Sequence, residues 1–355
     1  MPRSSKKKPL TRSQRVAAKI KQPYYAVKAF SKDLLSRRPH RSFRLTRRRD
    51  YVRSLELPGY FAFTHSVNKL LLKNKKTMLW LVAVYAVLTV VLIGIGSQES
   101  YSSLSETLQE TGSEVFKGNF GQLGQAALLF VSIGSSGLTA APGEAQQIYM
   151  VLIALLVWLT TIWLLRNILA GHKVKLRDGL YSAGAPIFAT VLVTLVLALQ
   201  LIPLALAAIG YAAASSTGLL AGGVAAMLFW IAAALLSITS LYWITSTFFA
   251  MVIVTLPGMY PMRALRTAGD MVIGRRLRIL LRILWMFLVI GIAGAIILIP
   301  VILLTTGLTN LWPALSSVPI VPFVLMLYGV CVFIWSASYI YLLYRKVVDD
   351  DASPA

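Results

Sequence analysis

Long, nearly uninterrupted apolar blocks alternate along this chain with short polar and basic stretches. The blocks fall at about 78–96, 147–166, 183–206, 222–250, 283–305 and 319–343. A helix needs roughly 20 apolar residues to cross the hydrocarbon of a bilayer, and each block comes close to or exceeds that length. None alternates with the period of two that a barrel strand requires. Only helices and closed barrels satisfy their backbone groups in lipid. The pattern therefore predicts an all-α membrane protein built as a bundle of six transmembrane helices, over residues 78–345. Two segments are ambiguous. Ala126–Ala140 is apolar but short and carries Gly134, Ser135, Ser136 and Gly137. It is expected to be a surface-lying or re-entrant element within an extracytoplasmic region, 97–146. Leu219–Leu256 is too long for one straight crossing, and one long, bent helix ending along the interface is expected there.

The connections carry a second pattern. Leu57-Pro58-Gly59-Tyr60 precedes an amphipathic stretch that ends in Lys73, Lys75 and Lys76, and 57–77 is predicted to be an amphipathic interfacial helix. Leu256-Pro257-Gly258-Met259-Tyr260 likewise precedes Pro261 to Arg282. Pro261 suits the first turn of a new helix, where its missing N–H costs nothing. Ala264, Leu265, Ala268, Met271 and Val272 then recur at helical spacing, as a face suited to the acyl boundary. Gly171 to Pro186 is a shorter, looser version. Each device feeds a helix of the same direction, which suggests three helical hairpins in parallel orientation. The plainer reading is that basic loops with Pro and Gly are common at any membrane interface.

Charge sets the orientation. Of 355 residues 57% are hydrophobic and 14% charged, with 35 Lys and Arg against 13 acids. Residues 1–76 hold 22 of those bases against Asp33, Asp50 and Glu56. With the N-terminus inside, 34 of the 35 bases fall on the cytoplasmic side and Lys117 alone stands outside. The positive-inside rule then predicts both termini to be cytoplasmic, with 346–355 as a short tail. The first block reads as an uncleaved anchor, since no cleavage-site pattern follows it. Residues 1–56 form a basic cytoplasmic segment whose first 22 residues are expected to be disordered. Tyr24, Val27, Phe30 and Leu34 suggest some helix beyond them.

Within this segment Arg47, Arg48 and Arg49 lie in a dense arginine run, interleaved with Phe43 and Tyr51. A basic residue near an anionic leaflet contributes about 1 kcal/mol of attraction. Anionic membrane lipid is the expected partner, and a cytoplasmic protein or RNA could meet the same charges. Arg275, Arg276 and Arg278 are expected at head-group level before the fifth crossing, where guanidinium forks suit phosphate.

Candidate chemistry inside the spans is sparse. His40, His65 and His172 all lie outside them, and no acid or base falls near a span centre. A proton- or ion-coupled transporter usually carries such groups. Gln200 is the most polar side chain deep in a block and lies near Pro203, which should bend its helix. Ser237, Ser240 and Thr247 follow at near-helical spacing on the fourth crossing. These four are the candidate intramembrane polar contacts. They read either as a groove for a substrate or as helix–helix hydrogen bonds, and the second reading is the commoner outcome. No zinc-protease, nucleophile-elbow or phosphate-loop pattern occurs. Glu106, Glu110 and Glu114 share one helical face without a histidine and read as a solvated acidic face. The single cysteine, Cys331, sits in an apolar block as a small hydrophobe. No catalytic, cofactor or metal site is predicted, and the sequence leaves the oligomeric state open.

Ala264-Leu265-Arg266-Thr267-Ala268, followed by Val272-Ile273-Gly274-Arg275-Arg276, resembles a cytoplasmic segment of a family of uncharacterised bacterial six-helix membrane proteins. That family includes the membrane domain attached to some glycerophosphodiester phosphodiesterases. The resemblance spans roughly 147–345 and departs at Ala268, where serine is common. It implies a six-helix fold in a bacterial inner membrane. It implies no phosphodiesterase activity, because no catalytic domain accompanies it here. The expected function is that of a non-enzymatic inner-membrane protein whose basic face holds anionic lipid or a cytoplasmic partner. A transporter or lipid-handling protein with a groove between the third and fourth helices is the alternative.

Overall fold

A computed structural model describes residues 57–94, 144–217, 220, 222–312 and 318–352. Arg47, Arg48, Arg49, the 126–140 segment and the pattern at Tyr24–Leu34 lie outside the described residues. Among the described residues all regular structure is helical. Six helices are long and apolar enough to cross a bilayer, which makes this a multi-pass membrane protein. They are α2 (Lys75–Leu92), α3 (Glu144–Leu169), α5 (Ile187–Ser216), α6 (Gly223–Ile253), α8 (Arg276–Leu311) and α9 (Ile320–Ala352). Three shorter helices, α1 (Tyr60–Lys73), α4 (Leu176–Ala183) and α7 (Pro261–Val272), precede α2, α5 and α8.

The long helices pair as three antiparallel hairpins. In the first, the Tyr85 hydroxyl meets Thr160 Oγ1 at 2.7 Å, and Gln146 Nε2 donates to the Ile93 carbonyl at 2.9 Å. In the second, α5 lies along α6. In the third, the Tyr328 hydroxyl of α9 donates to the Ile290 carbonyl of α8. It also closes on Gly294, where an added Cβ would lie 3.1 Å from that oxygen. The connections with Lys75, Arg166–Arg177, Arg263–Arg282 and Arg345 thereby gather at one end, termed the basic end below.

Two of the short helices, α4 and α7, pack on the hairpin before them: α4 lies on α3 and α2, and α7 lies on α6 and α5. Helix α1 closes on the last hairpin. That closure is detailed. Phe63 meets Tyr339 of α9 edge to face at 4.8 Å, Trp335 Nε1 donates to Asn68 at 2.8 Å, and Trp285 Nε1 of α8 donates to Thr64 at 3.0 Å. Three helix–hairpin units thus form a closed cycle at the basic end.

The amphipathic faces do something other than the sequence suggested. In α7, Ala264, Ala268 and Val272 are fully buried in the protein core, packed inward and not at an acyl boundary. Alanine at two of these positions lets α7 approach α6 closely, as small residues do between helices. Stretch 57–77 is also not one helix. It breaks at Asn74, whose side-chain amide donates to the Leu70 carbonyl, and Lys75 already opens the first crossing. Helix α6 is continuous over Gly223–Ile253, and its end is enclosed by protein from Phe249 to Val254 and not laid along the interface. Gly258 (φ 73°) and Gly274 (φ 78°) allow the sharp turns on either side of α7, since only glycine adopts positive φ without strain.

A helix of 36 residues, such as α8, measures about 54 Å at 1.5 Å per residue, against a hydrocarbon core of about 30 Å. Burial shows where the surplus sits. The main core runs through Phe63, Leu81, Ile162, Phe249, Ala268, Ile279 and Tyr339, toward the basic end. A small satellite at the opposite end joins Leu298, Ile302 and Val321.

Candidate functional site

Three polar constellations stand out. The first lies between α5 and α6. Pro203 has no N–H, so α5 cannot complete its backbone ladder there. One residue on, the Leu204 N–H donates to Ser240 Oγ at 3.1 Å, and Ser240 Oγ donates to the Gln200 carbonyl at 2.7 Å. Leu204 and Gln200 are the pair that an unbroken helix bonds directly. The hydroxyl of α6 therefore bridges the weakened turn of α5. The same Gln200, three residues before Pro203, uses its side-chain Oε1 to accept from Thr247 Oγ1 at 2.6 Å. Ser237 stays apart and returns its hydroxyl to the Ala233 carbonyl of its own helix at 2.8 Å. Of the four intramembrane candidates, three are brought together, and their polar atoms are turned on one another.

The second constellation is the head of α8. Arg275, Arg276 and Arg278 share one turn but meet different surroundings. Arg275 is buried, at 4% exposure. Arg276 stacks over the Tyr242 ring of α6, 3.8 Å from its centroid, and donates to the Tyr242 carbonyl at 3.2 Å. Arg278 is exposed. The three guanidinium groups are therefore not equivalent head-group ligands. One turn further on, Arg282 is also buried, at 6% exposure. It donates to the Pro58 carbonyl and stacks on Tyr60 at 4.2 Å, with Phe63 at 5.8 Å. An arginine stacked on aromatic rings keeps its charge at lower desolvation cost than a lysine would.

The third constellation was not singled out by the sequence beyond its use for orientation. Arg166, half-buried near the end of α3, holds the corner after α6. Both terminal nitrogens donate to the Thr255 carbonyl at 3.2 Å, and NH2 also donates to Thr255 Oγ1 at 2.6 Å. Two Leu-Pro-Gly corners are thus gripped by arginines from distant parts of the chain, Arg282 at Pro58 and Arg166 beside Leu256. Similar corners at two sites were the visible signal, but which arginine serves each is a matter of tertiary packing.

His65 and His172 are exposed, and among the described residues no three His, Cys, Asp or Glu side chains cluster as metal ligands. Arg177 and Asp178, exposed neighbours in sequence, form an ion pair at 3.9 Å. Comparison with protein-family models, curated proteins and solved structures gives no match to this chain.

Proposed function

We propose that this chain is a non-enzymatic, multi-pass protein of a bacterial inner membrane whose basic cytoplasmic face holds anionic lipid. Both termini lie in the cytoplasm in this reading, and the basic end faces inward. The observation that carries it is charge segregation. Every Lys and Arg among the described residues lies toward the basic end, where few acids meet them. Exposed Lys69, Lys73, Lys75, Lys76, Arg263, Arg266 and Arg278 line that end. Arg47, Arg48 and Arg49, in the segment that precedes α1 in the sequence, carry the same sign of charge. Juxtamembrane cations of this density attract anionic head groups. A cytoplasmic protein or RNA is a further ligand for the same N-terminal charges. The α5–α6 polar groups are mutually bonded, so no observation favours a substrate groove there.

Two experiments test the reading. With Cys331→Ala as background, Ser100→Cys should react with an impermeant thiol reagent on intact cells, and Ser353→Cys should react only after permeabilisation. The reverse pattern would overturn the orientation. Separately, the full chain is purified with its lipids, and anionic species should be enriched over the parent membrane. Enrichment should fall in the Arg276→Gln/Arg278→Gln variant and in the Arg47→Gln/Arg48→Gln/Arg49→Gln variant. A lipid profile equal to the bulk membrane would remove the reading.

A further inference from the structure

A cavity of about 550 Å³ opens at the basic end, between α3, the α4–α5 turn and the α6–α7 corner. That is within the range of sites that take small ligands. Its lining is mostly apolar, with Leu159 and Trp163 from α3 and Ala189 from α5. Arg166 is its one cationic residue, and no carboxylate lines it. The contacts of Arg166 with Thr255 go to a carbonyl and a hydroxyl, both neutral. They orient the guanidinium without cancelling its charge. The C-terminal carbonyls of α6 supply only partial negative charge.

Depth and rim define what fits. Leu159 lies seven residues before Arg166 on the same helix, so the cavity reaches about 10 Å along α3 from the charged level. Tyr260 lines the cavity and is largely exposed, and Tyr181 and Phe188 stand exposed on the neighbouring helices. Tyrosines such as Tyr260 and Tyr181 mark the level of lipid head groups. A cation at the rim, an aromatic belt and an apolar shaft match an amphiphile with an anionic head.

We infer that this cavity is a binding site for one anionic phospholipid, with its phosphate at Arg166 and the first methylenes of a chain along Trp163 and Leu159. The inference rests on the lipid-binding reading above and narrows it to a defined site. It also gives the α6–α7 corner a second role, since Thr255 presents Arg166 to the head group. Loss of a charge-assisted hydrogen bond of about 1.5–3 kcal/mol corresponds to a loss of about tenfold or more in affinity.

The test uses the full chain in lipid discs of mixed phosphatidylglycerol and phosphatidylcholine, with tightly held lipid counted by mass spectrometry. The wild type should retain about one phosphatidylglycerol per chain by this one-site reading. Arg166→Gln should retain about tenfold less, and Arg166→Lys should fall between them because it keeps charge without the fork. Ala189→Phe fills the cavity and leaves Arg166 intact, so it should also lose the lipid. Full retention by a folded Ala189→Phe would overturn the site. A phosphatidylglycerol carrying a photoreactive chain should label wild-type peptides spanning 159–166, 182–189 or 254–261. Absence of that label would overturn the site whether or not the variants fold. Millimolar inorganic phosphate should fail to displace the lipid; displacement would indicate a soluble phosphate site and also overturn it. If pocket variants keep the lipid while Arg276→Gln/Arg278→Gln loses it, the pocket fails and the broader reading stands. If no form prefers anionic lipid, both fail.

Discussion

Helices α3 and α5 are alike as strings of residues and opposite as parts of the molecule. Both are long, aliphatic and without charge through their middles. Yet 56% of the most apolar stretch of α3 is buried in protein, against 11% for α5. Along α3, Ile162, Leu164 and Leu165 touch no solvent or lipid surface, while Leu192, Leu195 and Leu199 of α5 stand outward. Water drives neither outcome inside a bilayer, because lipid tails are as apolar as leucine. What separates the two helices is packing and hydrogen bonding. Helix α3 is flanked by α2, α4 and α9 and is tied to α2 and α6 through Thr160 and Trp158, whose indole donates to the Met251 carbonyl at 3.3 Å. Helix α5 has one principal neighbour, α6, and a polar knot at its bend.

The sharpest way to break this comparison is the same deletion in both helices. Leu164→Ala should cost about 2–5 kcal/mol, the range for a leucine removed from a packed core. Leu195→Ala should cost less than about 0.5 kcal/mol, as for a surface position. Thermal unfolding in one detergent measures both. Equal losses would mean that α5 is enclosed in the working protein, as by a second copy of the chain.

A second test moves from the core to its closure. Arg282→Gln removes the stack on Tyr60 and, by shortening the side chain, the bond to the Pro58 carbonyl. A desolvated cation–π contact is worth about 2 kcal/mol, and a loss of about that size is expected. It should be local, with new protease cleavage within 57–74 and α3 still protected. Cleavage spread along the chain would show that α1 is part of one cooperative unit with the core.

The docking of α4 provides a smaller, steric test. A Cβ on Gly179 would stand 3.1 Å from Leu164 Cδ2 and 3.3 Å from the Trp163 ring. Gly179→Ala should cost about 1 kcal/mol through overpacking, despite the better helix propensity of alanine. Gly184→Ala, which meets nothing within 4 Å, is the control. A neutral Gly179→Ala would show that α4 shifts freely on α3.

The six crossings and the three short helices before alternate crossings were legible because apolar length and the Pro-Gly corners are local features. Helix ends were less so: α8 begins at Arg276, seven residues before its apolar block, because arginine is a good helix former and apolarity marks only the membrane-embedded part. The face that α7 buries was visible as a stripe, but not its target. A stripe of Ala264, Ala268 and Val272 suits lipid or a neighbouring helix equally, and only the fold chooses. The α5–α6 knot was half legible. Gln200, Ser240 and Thr247 stood out as polar residues in apolar blocks, whereas Ser237 looked the same and bonds only its own helix. Their pairing depends on the register of α5 against α6, which no local pattern encodes. Arg166 and Arg282 escaped for the same reason, since an arginine at a helix end reads first as a topology signal.

The finest test concerns that knot and the proline beneath it. Ser240→Ala removes the bridge between the Leu204 N–H and the Gln200 carbonyl, in surroundings that offer neither group water. A loss of about 1 kcal/mol is expected, and hydrogen bonds between membrane helices average about 0.6 kcal/mol. Pro203→Ala restores an N–H to α5 and lets the turn close, so that Leu204 can bond Gln200 directly. In that background Ser240→Ala should cost no more than about 0.3 kcal/mol, which gives a coupling of about 0.5 kcal/mol or more between residues on different helices. Thr247→Val should not show this coupling, because Thr247 serves the Gln200 side chain and not the broken ladder. If Ser240→Ala costs the same with proline or alanine at 203, the serine acts by packing alone. The difference between α5 and α3 would then lie in contact area only.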